Sequence, residues 1–399
     1  MTQEPVTSPL PDRERLPLHI VMLLNYIPLH FMSAMNLLAA RVERLTFLLS
    51  VSMESSRDWN PEFGALEVHV QKSVSLPIKH QHPFGFDYPS RLLIPVSTWN
   101  DLRHLRPDVV VSLEVGPRTL QAFFLRWLGL RYKLVVQVRE SEITAMSRGK
   151  LRIMLRKFIL PRVDQVLVNG ESGRRHVRYC GVKDENITIV PSGTDTVNFG
   201  RNLITKSDST ELKLLYVGAL IPLKGIMPFA KILREEAARS KRRIRWQVIG
   251  RGTDEDELKS MEWPPNFTFE MGGACGYHEL PRIYAEHDVF VMPSLADEWG
   301  MVVNEAMASG LPVLGCTGTQ AVEELVNPGE NGWIYQPGDE AGLRRALREM
   351  LGTEPAALLA MGHAARDVAL ECSDHLAAER ILEALRKTTA PLQSALPFS

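Results

Sequence analysis

The sequence predicts an α/β protein made of two doubly wound, parallel-sheet units. Three observations lead there. Short apolar, β-rich runs recur along the 399 residues, with segments of helical period between them. Most runs are continuous rather than alternating, as strands covered on both faces require. A polar, Gly/Ser/Thr-rich stretch, Pro191–Thr210, divides the series. About thirteen strands would overfill one twisted sheet, so two sheets are expected.

In chain order, residues 1–15 (MTQEPVTSPLPDRER) place Glu4, Asp12 and Glu14 among prolines and read as a disordered arm, not a signal peptide. An N-terminal domain, 16–198, has runs at Leu18–Leu24, Leu45–Val51, Leu66–Val70, Asp108–Leu113, Leu134–Val138, Gln165–Val168 and Ile187–Val190. Ile20 to Ala40 has the length of a membrane span. It contains Asn25, Pro28, His30, Ser33 and Asn36, which hydrocarbon would penalise, so a strand, a loop and a helix are expected. Leu120, Phe123, Phe124, Trp127 and Leu128 show helical spacing.

The second domain, 199–372, has runs at Leu212–Val217, Ile244–Ile249, Phe267–Met271, Asp288–Met292, Pro312–Gly315 and Gly332–Tyr335. Residues 373–399 read as a C-terminal helix and tail that packs back on the N-terminal domain. Two such domains face each other across a cleft, and ligands of open α/β sheets bind at the carboxyl ends of the strands.

Composition narrows the function classes. Hydrophobic residues at 45% and charged residues at 23% are ordinary for a globular chain and exclude a wholly disordered one. Cys180, Cys275, Cys316 and Cys372 lie far apart with no CxxC pair, against a disulfide scaffold or structural zinc and for a reducing compartment. Net charge is −1, yet residues 1–200 hold 25 Lys and Arg against 19 Asp and Glu, while the remainder holds 21 against 28. A basic half suits an anionic acceptor, a membrane surface or nucleic acid, and statistical scatter explains it equally. Ser147–Asp164 sets Leu151, Met154, Leu155, Phe158 and Ile159 on one helical face, with Arg148, Lys150, Arg152, Arg156 and Lys157 around the rest. It reads as a core helix with a solvated charged face or as a helix resting on an anionic bilayer. No aromatic-interleaved basic patch appears, so no nucleic-acid partner is expected.

The most informative stretch is Pro293–Gly315, PSLADEWGMVVNEAMASGLPVLG. A strand end, a loop with Asp297 and Glu298, and a helix opening at Gly300 place the amides of Met301 and Val302 at a helix N-terminus, a ready anion site. Glu305 follows about a turn later. Asp297 and Glu305 could grasp hydroxyls of one ligand on either side of an anion, or act only as a cap and a packed carboxylate. In YVGALIPLKGI a strand ends at Gly218, and Lys224 stands at the following turn, where an ammonium can meet phosphate as a point charge. QVIGRGTDEDELK follows a strand with Gly250 and Gly252 around Arg251. Its Asp254 and Asp256 are read as complements to a helix dipole, with Thr253 as N-cap. Nothing else has metal-ligand spacing, so no metal is expected.

The first stretch resembles the E-x7-E region of retaining glycosyltransferases of family 4, which have the two-domain GT-B fold. Pro293, Ser294, Trp299, Gly300, Glu305, Ala306, Met307, Ala308, Gly310, Pro312 and Val313 match its pattern. The first acidic position is held by Asp297, and Glu298 stands one residue late, so either can serve as the first carboxylate. By resemblance the first acid contacts the donor sugar and Glu305 the ribose. Lys224 matches the diphosphate-binding lysine, Ala219 stands where an arginine is usual, and Arg251 is the nearest basic substitute. Gly218, Gly250, Arg251, Gly300, Met301 and Val302 are then donor-binding.

The resemblance implies metal-independent, retaining transfer of a sugar from a nucleotide-diphosphate donor to a carbohydrate or lipid-linked hydroxyl acceptor, without a cofactor, in polysaccharide or glycolipid assembly. A sugar-nucleotide epimerase and a degenerate nucleotide-sugar-binding protein are the alternatives. On the acceptor side His30, Arg139, Glu140 and Glu142 are the candidates, or the last three form ordinary surface ion pairs. A cytoplasmic location is expected, with peripheral contact on the inner face of the plasma membrane as the alternative.

Overall fold

The computed structural model describes residues 15–53, 63–81, 87–146, 149–202 and 211–389. The arm expected at 1–15 falls outside them apart from Arg15. Two parallel sheets carry the chain. The first has seven strands in the order β3-β2-β1-β6-β7-β8-β9: β1 (Leu16–Leu24), β2 (Val42–Leu49), β3 (Glu67–Val70), β6 (Val109–Leu113), β7 (Lys133–Val138), β8 (Gln165–Val168) and β9 (Ile187–Ile189). The second has six in the order β12-β11-β10-β13-β14-β15: β10 (Glu211–Val217), β11 (Arg243–Ile249), β12 (Phe267–Gly273), β13 (Val289–Met292), β14 (Val313–Cys316) and β15 (Gly332–Tyr335). All neighbouring pairs are parallel.

Each sheet winds outward in both directions from its first strand. The order therefore reverses between β1 and β6, and again between β10 and β13. At such switch points the loops leaving the strand ends diverge and open a crevice. Loops beginning at Asn25, Glu114, Gly218 and Pro293 line these two crevices, which fixes where a ligand can sit. Continuous burial of Ile20–Leu24 and Val289–Met292 is what strands covered on both faces require.

Three features differ from the sequence reading. The strands β4 (Ser73–Gln81) and β5 (Asp87–Pro95) form a separate antiparallel ribbon. Pro77, Pro89 and Pro95 mask it in the sequence, but in a two-stranded ribbon each strand is an edge, where proline is tolerated. Next, the polar break beginning at Pro191 contains the short helix Thr196–Phe199, and Phe199 is fully buried between the rings of Tyr277 and Tyr284 at 5.8 and 5.7 Å.

The third concerns the helix Lys150–Ile159. Its apolar face does not all enter the core: Leu151, Met154 and Phe158 are exposed, and Arg156 is fully buried instead. Glu140, fully buried at the end of β7, requires a cation there, and the Arg156 guanidinium donates to it.

The helix Asp374–Thr389 returns to the first sheet, where Ala377, Ile381, Leu382 and Leu385 pack in one core with Ile20, Met22 and Phe47. A bridge between Thr194 and Ser373 lies at its entry. Among the described residues no helix is long and apolar enough to cross a membrane.

Candidate functional site

The second switch point brings two loops together. Leu295 N donates to the Leu223 carbonyl at 3.0 Å. Gly225, at φ +62°, lies so close to the next loop that a Cβ would come within 2.3 Å of the Pro293 carbonyl oxygen. This packing sets Lys224 beside Asp297, and the ammonium donates to that carboxylate. Asp297 is itself fixed by its amide, which donates to the Gly318 carbonyl at 3.0 Å.

The helix Met301–Ala308 begins just beyond. Gly300 takes φ +94°, and a Cβ there would be 2.5 Å from Thr319 Cγ2, so the sharp entry needs glycine. The amides of Met301 and Val302 have no carbonyl an earlier helical turn could offer, whereas Val303 N donates to the Gly300 carbonyl at 2.9 Å. The helix stops at Gly310, φ +81°, the left-handed residue expected after a helix end.

Glu305 lies one turn inside and turns toward the core, where the Tyr284 hydroxyl donates to its Oε2 at 3.0 Å. Burial pushes its carboxyl up to about 7. Asp297 and Glu305 thus hold separate partners rather than a common one. Gly218 and Gly250 meet each other: a Cβ on Gly250, φ +147°, would fall 1.8 Å from the Gly218 carbonyl oxygen. These glycines let the loops after β10 and β11 pack backbone to backbone. Arg251 and Ala219 are exposed beside them. Asp254, not Thr253, holds the N-cap position of the helix Glu255–Lys259, and the Thr253 hydroxyl donates to it at 3.1 Å.

Glu298 points the other way. It lines a cavity of about 720 Å³ at the first switch point, together with Glu114, Arg118, Arg139 and Glu140. Apolar walls come from Ile78, Leu92 and Leu93 of the β4–β5 ribbon and from Leu151 and Leu155. Arg139 lies over the Phe31 ring at 5.6 Å. Burial lowers the pKa of Arg139, and that of Arg118 to about 10. Glu142 stands apart from this cavity. It pairs with Arg175 at 3.2 Å, which reaches Glu323 of the other domain at 2.6 Å, so its place is an interdomain ion pair. His30 falls in the first turn of the helix Leu29–Ala40, and its side chain lies outside those described.

Other ties hold the two halves across the cleft. Asn304 Nδ2 donates to the Ser192 carbonyl at 2.9 Å, and Ser172 N donates to Glu324 Oε1 at 2.8 Å. With its amide oriented to satisfy both ends, Gln320 donates to the carbonyls of Glu298 and Arg139 at 2.6 and 3.2 Å.

Residues 29–193 match the family described as glycosyl transferase 4-like domain, and residues 211–353 match glycosyl transferases group 1. The chain belongs to the family 4-type glycosyltransferases of GT-B fold. It is 26% identical over 292 residues to a putative colanic acid biosynthesis glycosyltransferase WcaL of Salmonella typhimurium, covering 70% of each chain. It is 35% identical over 309 residues to the sulfoquinovosyl transferase SQD2 of Arabidopsis thaliana, covering 73% of this chain and 58% of that protein. It spans about half the length of the D-inositol 3-phosphate glycosyltransferase of Nocardia farcinica. Among solved structures, Anabaena Alr3699/HepE in complex with UDP superposes with a TM-score of 0.67 at 16% identity, covering 92% of this chain and 99% of that one. The lipopolysaccharide outer core galactosyltransferase WaaB superposes with a TM-score of 0.66 at 14% identity, with the same coverage. These relatives do not favour the epimerase or the binding-only reading.

Sequence reasoning missed Glu114 of this glycosyltransferase. Its backbone is left-handed, φ +59°, an uncommon conformation for a residue other than glycine. Its carboxylate accepts from Arg139 N at 2.6 Å and Glu140 N at 3.3 Å, tying the ends of β6 and β7. Burial, with Glu140 and Glu298 nearby, pushes it up to about 7. Its place at the end of the run RPDVVVSLE was the available signal. Asn304, inside the matching stretch, carries no sequence signal beyond helix for its contacts with Ser192 and Trp299.

Proposed function

We propose that this protein transfers a sugar, with retention of anomeric configuration, from a nucleotide-diphosphate sugar to a hydroxyl acceptor. One observation carries the reading: Lys224, Asp297 and the open amides at Gly300–Met301 converge at the second switch point, while Glu298 enters the cavity of the opposite domain. That Alr3699/HepE is described with UDP and with UDP-glucose supports the donor class.

In this reading the diphosphate takes over Lys224 and sits on the helix N-terminus, where fixed charge and dipole meet the negative charge that develops as it departs. Asp297, released from Lys224, accepts from sugar hydroxyls. Glu305 and Tyr284 form the floor on the ribose side. The bond from the anomeric carbon to the diphosphate breaks, and a bond to the acceptor oxygen forms on the same face. The acceptor proton passes to the departing phosphate oxygen, and nucleoside diphosphate is released. Lys224 and the amides meet the diphosphate charge, so the reading invokes no metal. The acceptor lies in the N-terminal cavity among Glu114, Glu298, Arg118 and Arg139. The basic N-terminal half makes a peripheral membrane contact.

Incubation with a panel of nucleotide sugars tests this. Slow release of nucleoside diphosphate, unchanged by EDTA, is the expected result. Formation of a sugar epimer, or binding with no turnover of any donor, overturns it.

A further inference from the structure

A chain of buried side chains runs from the crossing between the domains to Glu305. Thr194, where the chain first crosses, donates its amide to the carbonyl of Cys372, where it returns, at 3.0 Å. Asp195 then caps the helix Thr196–Phe199, its carboxylate accepting from Asn198 N at 3.0 Å. This sets the fully buried Phe199 edge-on to the Tyr284 ring, at an interplanar angle of 71°. Phe290 of β13 packs on the same ring at 5.7 Å. A phenol held from two elements at these separations cannot swing without opening a void.

The Tyr284 hydroxyl has one proton and two acceptors in reach, Glu305 Oε2 at 3.0 Å and the Val302 carbonyl at 3.4 Å. An ionised Glu305 accepts that hydrogen bond, and a protonated one leaves it to Val302. Glu305 Oε1 has no hydrogen-bond partner among the described residues. The side chain is thus held through one oxygen and keeps the other for a ligand. The titratable groups facing it are Tyr284, Tyr277 and Cys275. Burial raises the pKa of all three, so they are neutral at pH 7 and none offsets the buried carboxylate with a charge. The Tyr284 hydroxyl does oppose the effect of burial, by donating to the ionised form.

We propose that Tyr284, braced by Phe199, is a positioning residue for the donor: it holds the Glu305 carboxylate to accept from the ribose hydroxyls of the nucleotide. Phe199 acts one step further back, through the Tyr284 ring. The proposal rests on the transfer reading and deepens it, because that reading places the ribose at Glu305. An ionised carboxylate is the stronger acceptor. Donor affinity therefore rises as pH climbs through about 7, the folded value of Glu305.

Calorimetric titration of the full chain with UDP-glucose, GDP-mannose and ADP-glucose, from about pH 5.5 to 8.5, tests this. Their diphosphate diesters keep a constant charge over that range. For each one that binds, the wild-type Kd should fall with a midpoint near 7. Tyr284→Phe should raise the midpoint by about one pH unit and weaken binding at pH 7 about fivefold. Phe199→Leu should shift it the same way by less, and Glu305→Gln should abolish the pH dependence. Phe229→Leu, a like truncation against Trp246 in a separate core of the second domain, should lower Tm and leave the midpoint in place.

A wild-type Kd independent of pH, or an unmoved midpoint in Tyr284→Phe, overturns the positioning role while the transfer reading stands. An unmoved midpoint in Phe199→Leu alone removes Phe199 from it. Failure of all three nucleotide sugars to bind overturns the transfer reading and this proposal with it.

Discussion

The Lys224 ammonium rests on the Asp297 carboxylate, a contact between residues 73 positions apart made by two loops packed backbone to backbone. Glu298, the adjacent acid, faces the opposite domain. Neighbouring carboxylates on one loop thus face different halves of the cleft.

Loss of Lys224 should therefore act on chemistry. Lys224→Ala is expected to lower kcat about 10²- to 10³-fold, the range for removing one preorganised charge-stabilising donor. Asp297→Asn should raise the KM for donor. Glu298→Gln should spare the donor KM and raise that for acceptor. Steady-state kinetics with each substrate varied checks all three, and a donor effect at Glu298 would reverse the assignment.

Glu305 sets a pH dependence of stability. Its folded pKa of about 7 lies above the ordinary carboxylate value of 4.5. Its contribution to stability is therefore fully present below about 4.5 and is lost as pH rises through about 7. Glu305→Gln should flatten the fall in Tm between roughly pH 5 and 8, the range in which the folded and unfolded states differ in protonation. Tyr284→Phe, removing the donor to the carboxylate, should steepen it. Thermal unfolding across pH reads both.

The buried Arg156–Glu140 pair should be costly to break from one side. Arg156→Met leaves buried Glu140 with Arg152 at 3.4 Å but without its Arg156 donor, an expected loss of up to about 3–5 kcal/mol. Replacing both with apolar residues of similar volume should recover much of it. Denaturant unfolding of the single and double variants measures the difference.

Gly225 tests the loop contact that aligns Lys224. Gly225→Ala places a Cβ against the Pro293 carbonyl at positive φ, which should cost about 1–3 kcal/mol in backbone strain. If the chain folds, kcat should fall with it. Unchanged kcat would show that Lys224 is placed without this contact.

Interdomain ties should separate by burial. Asn304→Ala removes a buried donor to Ser192 and the acceptor for Trp299 Nε1, an expected loss of about 1–3 kcal/mol. Arg175→Ala breaks exposed ion pairs and should change stability by less than about 1 kcal/mol. Chemical denaturation followed by tryptophan emission compares them.

The sequence by itself determined the alternation of strands and helices, thirteen of the fifteen strands among the described residues, the glycines at the sharp turns, and the two stretches that carry Lys224 and Asp297. Those are local matters: buried runs, positive φ and helix starts are encoded within a few residues. It left open which of Asp297 and Glu298 faces the donor, because adjacent side chains diverge only once the loop is pinned by Leu223 and Gly318. The proline-marked ribbon, the carboxylate of Glu114 and the inverted burial of Arg156 against Leu151 were likewise decided in three dimensions. Each depends on a partner brought from a distant strand, and a buried charge follows its counter-ion even where helical periodicity would turn it outward.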